Sequence, residues 1–113
     1  MEKPLKLLKG DVVVTPFPFS DLTSVVKRPA LVTASLKGDD IILCQITTKN
    51  RPDPYKIELT QKDFDKGGLK IESFIMPSRI FTLRKSIVLY KAGNINNKKI
   101  KEVEDEIIKI IKS

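Results

Sequence analysis

Two short apolar runs flanking a polar turn constrain this chain more than any other stretch. Ala30-Leu-Val-Thr-Ala-Ser35 and Ile41-Ile-Leu-Cys-Gln-Ile-Thr47 read as strands. Between them Lys37-Gly38-Asp39-Asp40 supplies Gly and Asp, which tolerate the backbone angles of a hairpin turn. An antiparallel hairpin returns the chain to its starting point. Arg28, placed just before the first strand, and Thr47, ending the second, are therefore expected at the same end of the sheet. That sets a permanent cation beside a hydroxyl at a sheet edge bordered by loops.

The flanking segments extend the β pattern. Asp11-Val-Val-Val-Thr-Pro-Phe-Pro-Phe19 is β-branched and aromatic and predicts a first strand over about 11–17. Pro16 and Pro18 remove ladder donors there and point to an edge or a bulge. The loop from Phe19 to Lys27 carries Ser20, Asp21, Thr23 and Ser24 and is expected to act as a lid. After the hairpin comes a polar, partly basic loop, Lys49 to Pro54, and then Tyr55–Leu59 alternates as a half-exposed strand should. Thr60-Gln-Lys-Asp63 resembles a capping box and Gly67-Gly68 a stop, which predicts a short helix over Thr60–Lys66 with Phe64 inward. Two further strands are expected near Ser73–Met76 and Ile87–Tyr90, with Arg79–Leu83 as a strand or a bridging segment.

The last element is the plainest helix. From Asn96 or Asn97 as cap to Lys112, Ile100, Val103, Ile107, Ile110 and Ile111 recur at helical spacing, and Lys101, Glu102, Glu104 and Asp105 face out. Short strands without βαβ alternation, followed by one helix, predict a mainly β fold: a strongly bent antiparallel sheet or small barrel with a short inserted helix and a C-terminal helix.

Composition narrows the function classes. At 113 residues and 41% hydrophobic content, the chain is expected to form one domain spanning 1–113 with a real core. Leu5, Leu7 and Leu8 are expected to dock on it. One Cys excludes a disulfide framework, and no His with a single Cys excludes the usual zinc sites; no metal or cofactor is expected. No apolar run approaches the roughly 18 residues of a membrane span. The N-terminus lacks the features of a signal peptide, so a cytoplasmic location is expected. The net charge of +7 favours a polyanionic partner, through phosphate neutralisation and counterion release. A soluble protein that happens to be basic accounts for it equally well.

Few side chains remain for chemistry. Arg28 offers a flat fork of donors that matches phosphate oxygens, and Pro29 biases it to an extended backbone. Taken alone, it is more readily a surface cation paired with Asp21 or another acid. Thr47 is ordinary for a strand, yet a hydroxyl beside a cation can donate to a developing oxyanion. Cys44, in an apolar strand and without His, reads as a small buried hydrophobe. Asp11, Asp39, Asp40 and Asp53 show no metal-ligand spacing. Lys49, Arg51, Arg79, Arg84 and Lys85 are loop-like cations able to track a nucleic-acid backbone.

Taken in order, Gly10-Asp11-Val-Val-Val-Thr-Pro-Phe-Pro-Phe-Ser-Asp21, Lys27-Arg28-Pro29-Ala-Leu-Val32 and Leu43-Cys-Gln-Ile-Thr47 resemble the MazF/PemK family of toxin endoribonucleases. Asp63-Phe64, Gly67-Gly68-Leu69, Ser73, Arg79-Ile-Phe-Thr-Leu83 and Gly93-Asn94-Ile95 continue the resemblance over about residues 9–111. It implies an SH3-like barrel of the CcdB/MazF type, a homodimer, and sequence-specific cleavage of single-stranded RNA. It also implies that Arg28 and Thr47 are the catalytic pair, with Thr48 a neighbouring alternative to Thr47. Ser20, Asp21, Lys27, Thr48, Lys49, Arg51 and Arg79 are the candidate substrate-binding residues. A basic toxin whose site takes a polyanion is expected to be inhibited by an acidic antitoxin that imitates it. Two alternatives stand beside this: a non-cleaving toxin of the same fold that inhibits DNA gyrase, and a plain RNA-binding module. The Arg-Pro and Ile-Thr strings argue against the first, and the modest number of aromatics, mostly placed for the core, against the second.

Overall fold

The computed structural model describes residues 6–17 and 26–113. Strands β1 (Asp11–Phe17), β2 (Val26–Ser35), β3 (Asp40–Thr47), β4 (Ile57–Leu59), β5 (Phe64–Gly67), β6 (Ser73–Arg84) and β7 (Tyr90–Ile95) precede helix α1 (Asn97–Lys112). The strands pair antiparallel in one seven-stranded sheet of order β4-β6-β3-β2-β1-β7-β5. β4 and β5 thus occupy opposite edges, yet only residues 60–63 separate them in the chain. So short a link spans at most roughly 18 Å, so the sheet must curl until its edges approach. The core records the same curl. Ile57 and Leu59 from one edge, Ile95 beside the other, and Val103 of α1 share one buried cluster, with Phe64 packed against it. The result is a half-barrel closed over by the C-terminal helix.

Both faces of the central strands are covered. Val12, Leu31, Cys44, Ile46 and Ile75 face α1. Val13, Ala30, Val32, Ile41 and Leu43 form a second cluster with Leu7, against which Phe81, Leu83 and Val88 pack. The unbroken apolar run of β1 follows from this double burial. Of the N-terminal leucines, Leu7 is buried and Leu8 exposed; Leu5 lies outside the described residues.

Several expected boundaries move, each for a backbone reason. Arg28 lies inside β2 rather than before it, because Val26 to Pro29 already pair with Phe17 to Val14 of β1. Pro16 is tolerated within β1 because β7 pairs only as far as Val14, leaving an edge beyond. The capping box at Thr60 forms, with the Thr60 N–H donating to Asp63 Oδ2 at 2.9 Å, but it caps one 3₁₀ turn, Gln61–Asp63. The helix expected over Thr60–Lys66 stops there because Phe64–Gly67 pair with β7. Gly67 has φ +69° and approaches Ala92 so closely that a Cβ would lie 2.1 Å from its carbonyl oxygen. Ser73–Met76 and Arg79–Leu83 fuse into one strand through a bulge. The strand expected at Ile87–Tyr90 begins only at Tyr90, after a 3₁₀ turn at Lys85–Ile87.

The helix starts as its sequence predicts, with Asn96 Oδ1 accepting from the Lys99 N–H at 2.8 Å. Val103 is buried, and Ile100 and Ile107 pack against the core. Ile111, expected to face inward, is 69% exposed. About 12 Å beyond Val103 along the axis, the apolar stripe has run past the core onto the rim of a groove it shares with Ile80 and Ile108. Ile75→Ala should lower the unfolding free energy by about 2–5 kcal/mol in a denaturant titration. Ile71→Ala, at a side chain 64% exposed, should change it by less than about 0.5 kcal/mol. Equal losses would contradict this placement of the core.

Candidate active site

The β2–β3 ladder begins at Ala30↔Gln45. Pro29 has no N–H to extend it. Continuing the register by two residues sets Arg28 against Thr47, so the two strands part where these side chains stand. On the other side of β3 the ladder also breaks. Cys44 pairs with Ile80 and Gln45 with Met76, so Pro77, Ser78 and Arg79 bulge out of β6. Bulges re-aim side chains; this one carries Arg79 to the same opening. The outcome is a cleft of about 490 Å³ lined by Arg28, Thr47, Lys49, Arg51 and Arg79 together with Gln45 and an apolar wall.

The loop after β3 is held by local bonds. Thr47 Oγ1 accepts from the Lys49 N–H at 3.1 Å, which uses a lone pair and leaves the hydroxyl proton to donate elsewhere. The Tyr55 N–H donates to Asp53 Oδ1 at 2.8 Å. Lys56 pins the segment from beneath: its ammonium donates to the Arg51 carbonyl at 2.9 Å and to the Asn50 side chain, and sits 5.0 Å from the centre of the Phe74 ring. Phe74 pairs across the sheet with Thr47. Loop and hydroxyl are thereby tied to one rung of the ladder.

The charge around the cleft is one-sided. Arg28, Lys49, Arg51 and Arg79 line it, and among the described residues no carboxylate does. The ion pairs that the described residues make lie elsewhere: Lys9–Glu104, Lys91–Asp11, Lys101–Asp105, and Lys99 with Asp63 and Glu102. Among the described residues no acid neutralises Arg28, so its surface-pair explanation has no support there.

Of the other candidates, Lys27 is exposed on β2 opposite Pro16, and Thr48 is exposed after β3; neither lines the cleft. Ser20 and Asp21, with the rest of the expected lid, lie outside the described residues. Sequence reasoning missed Gln45, Val26, Met76 and Ile80 as lining residues and assigned Phe17 and Phe81 to the core. Those two rings meet edge to face, with centroids 5.3 Å apart, at the cleft wall. The signal for Gln45 was its period-two spacing from Thr47, which puts both on one face of β3. Cys44 points to the opposite face. Burial pushes its thiol up to about 12, against a smaller opposing effect of its bond to the Met76 carbonyl. It is no nucleophile at neutral pH. No group of His, Cys, Asp and Glu among the described residues is arranged to hold a metal, and no described helix is long and apolar enough to cross a membrane.

A half-barrel with a C-terminal helix, and a cleft whose charged lining among the described residues is wholly cationic, defines a small β protein with a basic cleft. Its membership is narrower than that. The family model of the PemK-like, MazF-like toxin of type II toxin-antitoxin systems matches residues 8–111, and the chain belongs to that family. Solved structures agree on the fold. An endoribonuclease in complex with its cognate antitoxin from a mycobacterial species superposes with a TM-score of 0.75 at 14% identity, over 95% of this chain and 96% of that one. MazF from Deinococcus radiodurans gives 0.73 at 17% identity, over 95% and 97%. A second mycobacterial endoribonuclease gives 0.72 at 17%, over 98% and 96%. No curated protein matches the chain by sequence.

The buried thiol has a measurable consequence. Because its folded pKa lies above its unfolded value, Cys44 favours the native state below about pH 9 and loses that contribution as pH rises towards 12. At pH 8 the native protein should resist iodoacetamide over a time that fully labels the urea-unfolded chain. Prompt labelling of the native protein would contradict the burial of Cys44.

Proposed function

We propose that this protein is an endoribonuclease that cuts single-stranded RNA at the cleft between β2, β3 and β6, using the RNA's own 2′-hydroxyl as nucleophile. The observation that carries this is the cleft that Arg28, Lys49, Arg51 and Arg79 line together with Thr47, with no carboxylate among its described lining residues. Such a lining suits a phosphodiester and, among the described residues, sets no general base beside the Thr47 hydroxyl to activate it, whereas RNA brings its own nucleophile. The 2′-oxygen bonds to phosphorus as the P–O5′ bond breaks, and the proton the 2′-hydroxyl releases is balanced by the one the 5′-oxygen takes up, which leaves a 2′,3′-cyclic phosphate on one product and a 5′-hydroxyl on the other.

In this mechanism Arg28 faces the reacting phosphate. Its planar fork places two donors on the non-bridging oxygens as negative charge builds on the phosphorane. A cation about 4 Å from that charge, at an effective dielectric near 20, contributes on the order of 4 kcal/mol. That is roughly a thousandfold in rate. Thr47 donates its hydroxyl proton to an oxygen of the same group, held in place by the Lys49 N–H. Arg51 and Arg79 neutralise flanking phosphates, contacts that position the strand and carry no sequence information. The cleft offers no carboxylate, imidazole or thiolate for a divalent cation among the described residues, so catalysis is assigned to these cations and needs no metal.

The same charge pattern fits the partners of a toxin. An acidic antitoxin segment that folds over the cleft would meet four cations and displace RNA. The protein is read as a homodimer, with the exposed Ile80, Ile108 and Ile111 as apolar surface for the second copy. Sedimentation should therefore give twice the chain mass at micromolar concentration; a monomer would remove that assignment.

Purified protein should cut single-stranded RNA in excess EDTA. Arg28→Ala should lose most of that activity, of the order of a thousandfold, with the fold intact by circular dichroism. Arg28→Lys should recover little, because a point charge does not reproduce the fork. Thr47→Ala should lose less, on the scale of one hydrogen bond to a charged group. Wild-type rates from Arg28→Ala, or a requirement for divalent metal, would overturn the mechanism.

A further inference from the structure

Cations that read phosphates leave sequence selection unexplained. A base is read through donors and acceptors on its edge, and in single-stranded RNA those edges are open to side chains. Among the described residues lining the cleft, Arg28, Lys49, Arg51 and Arg79 offer donors only, and Thr47 a single hydroxyl. Gln45 is the one amide. It is half-buried on the floor, and its side chain makes no hydrogen bond to another described residue.

Its position is built by the fold. Gln45 pairs with Ala30 on β2 and with Met76 on β6, at the rung where the β2–β3 ladder begins and the β6 bulge ends. Two residues along the same strand face stands Thr47, about 6.6 Å away. Arg28 is two residues from Ala30 on the neighbouring strand, so the amide lies two rungs below the Arg28–Thr47 pair, on the same face. Phe17, Val26, Met76, Ile80 and Phe81 form the apolar wall around it. An apolar slot with one amide on its floor suits a flat heterocycle: the wall takes the ring faces, and the amide takes the edge.

We infer that Gln45 is a specificity-determining residue, which reads the edge of the base adjoining the cleaved phosphate while that base lies against the apolar wall. The inference rests on the RNA-cleaving reading of the cleft. Gln45 Oε1 accepts from a base N–H, and Nε2 donates to a neighbouring ring nitrogen or carbonyl. With the amide held in one orientation, this separates bases that present donor then acceptor, adenine and cytosine, from those that present the reverse order, guanine and uracil.

The test is cleavage of a randomised single-stranded RNA library by the full chain, scored as the ratio of cutting rates among the four bases at each position. Wild type should show a preference at one position next to the cut. Gln45→Met keeps the side-chain length and removes the amide, and should reduce the preference at that position alone by about tenfold, the discrimination expected of one bidentate contact. Gln45→Glu replaces the donor with a second acceptor and should move that position towards guanine, whose N1–H and N2–H₂ present adjacent donors. The added negative charge slows cutting at every sequence and divides out of the ratio. Thermal melting checks each variant, and either one that folds decides the matter. An unchanged base profile in a folded variant, or a uniform loss without change in the ratios, would overturn the role of Gln45. Failure of the wild-type protein to cut any RNA would instead overturn the cleavage reading on which it rests.

Discussion

The structure depends on where the β2–β3 ladder stops. From Ala30↔Gln45 inward the two strands pair as far as Ser35↔Ile41, past one bulge at Thr33, and Ala30, Leu31, Val32, Leu43 and Cys44 are buried on the two faces. Outward, Pro29 has no N–H with which to continue, and the strands part. A bulge on β6 opens the other side of the same strand. Backbone geometry therefore makes the cleft, and the side chains that line it are carried there by strands whose other ends are locked in the core. Arg28 is flexible at its tip but fixed at its root. A site mounted on strands in this way holds its geometry better than one built on loops alone.

The same fold separates charge. The carboxylates that make ion pairs are spent around the N-terminal turn, the 3₁₀ turn and α1, where Asp11, Asp63, Glu102, Glu104 and Asp105 meet lysines. Those at the surface, Lys9–Glu104 and Lys101–Asp105, contribute little stability. Their consequence is electrostatic: the cleft keeps its cations unopposed among the described residues, and a low-dielectric wall of Phe17, Met76 and Phe81 behind them strengthens their field. Net charge points to a polyanionic partner, and the distribution of that charge is what places the partner at the cleft in the proposed function.

Much of this was legible in the chain. The hairpin turn at Gly38, the Asn96 cap, the capping box at Thr60 and the burial of Cys44 followed from local chemistry, and the structure keeps all of them. What escaped depends on long-range pairing. Phe64–Lys66 read as helix because Thr60 caps like one, but pairing with β7 took those residues into the sheet edge. Ser73–Arg84 read as two segments because Pro77 interrupts the pattern, and only the bulge against β3 makes it one strand. Ile111 fits the helical stripe, yet nothing in a periodicity says where the core beneath it ends. In the site, Arg28 and Thr47 were brought together by the logic of a hairpin. Gln45 was passed over because an amide in a strand carries no signal until the faces of the sheet are assigned.

The central claim is that the cleft cuts RNA by way of the substrate's own hydroxyl. It is tested most directly with a substrate altered at one atom. An RNA carrying a single 2′-methoxy group on the nucleotide before the cut should bind as its parent does and remain whole at that position, while the unmodified RNA is cleaved to a 2′,3′-cyclic phosphate end. Cleavage of the methoxy substrate at the parent rate, or a 5′-phosphate on the product, would contradict the account.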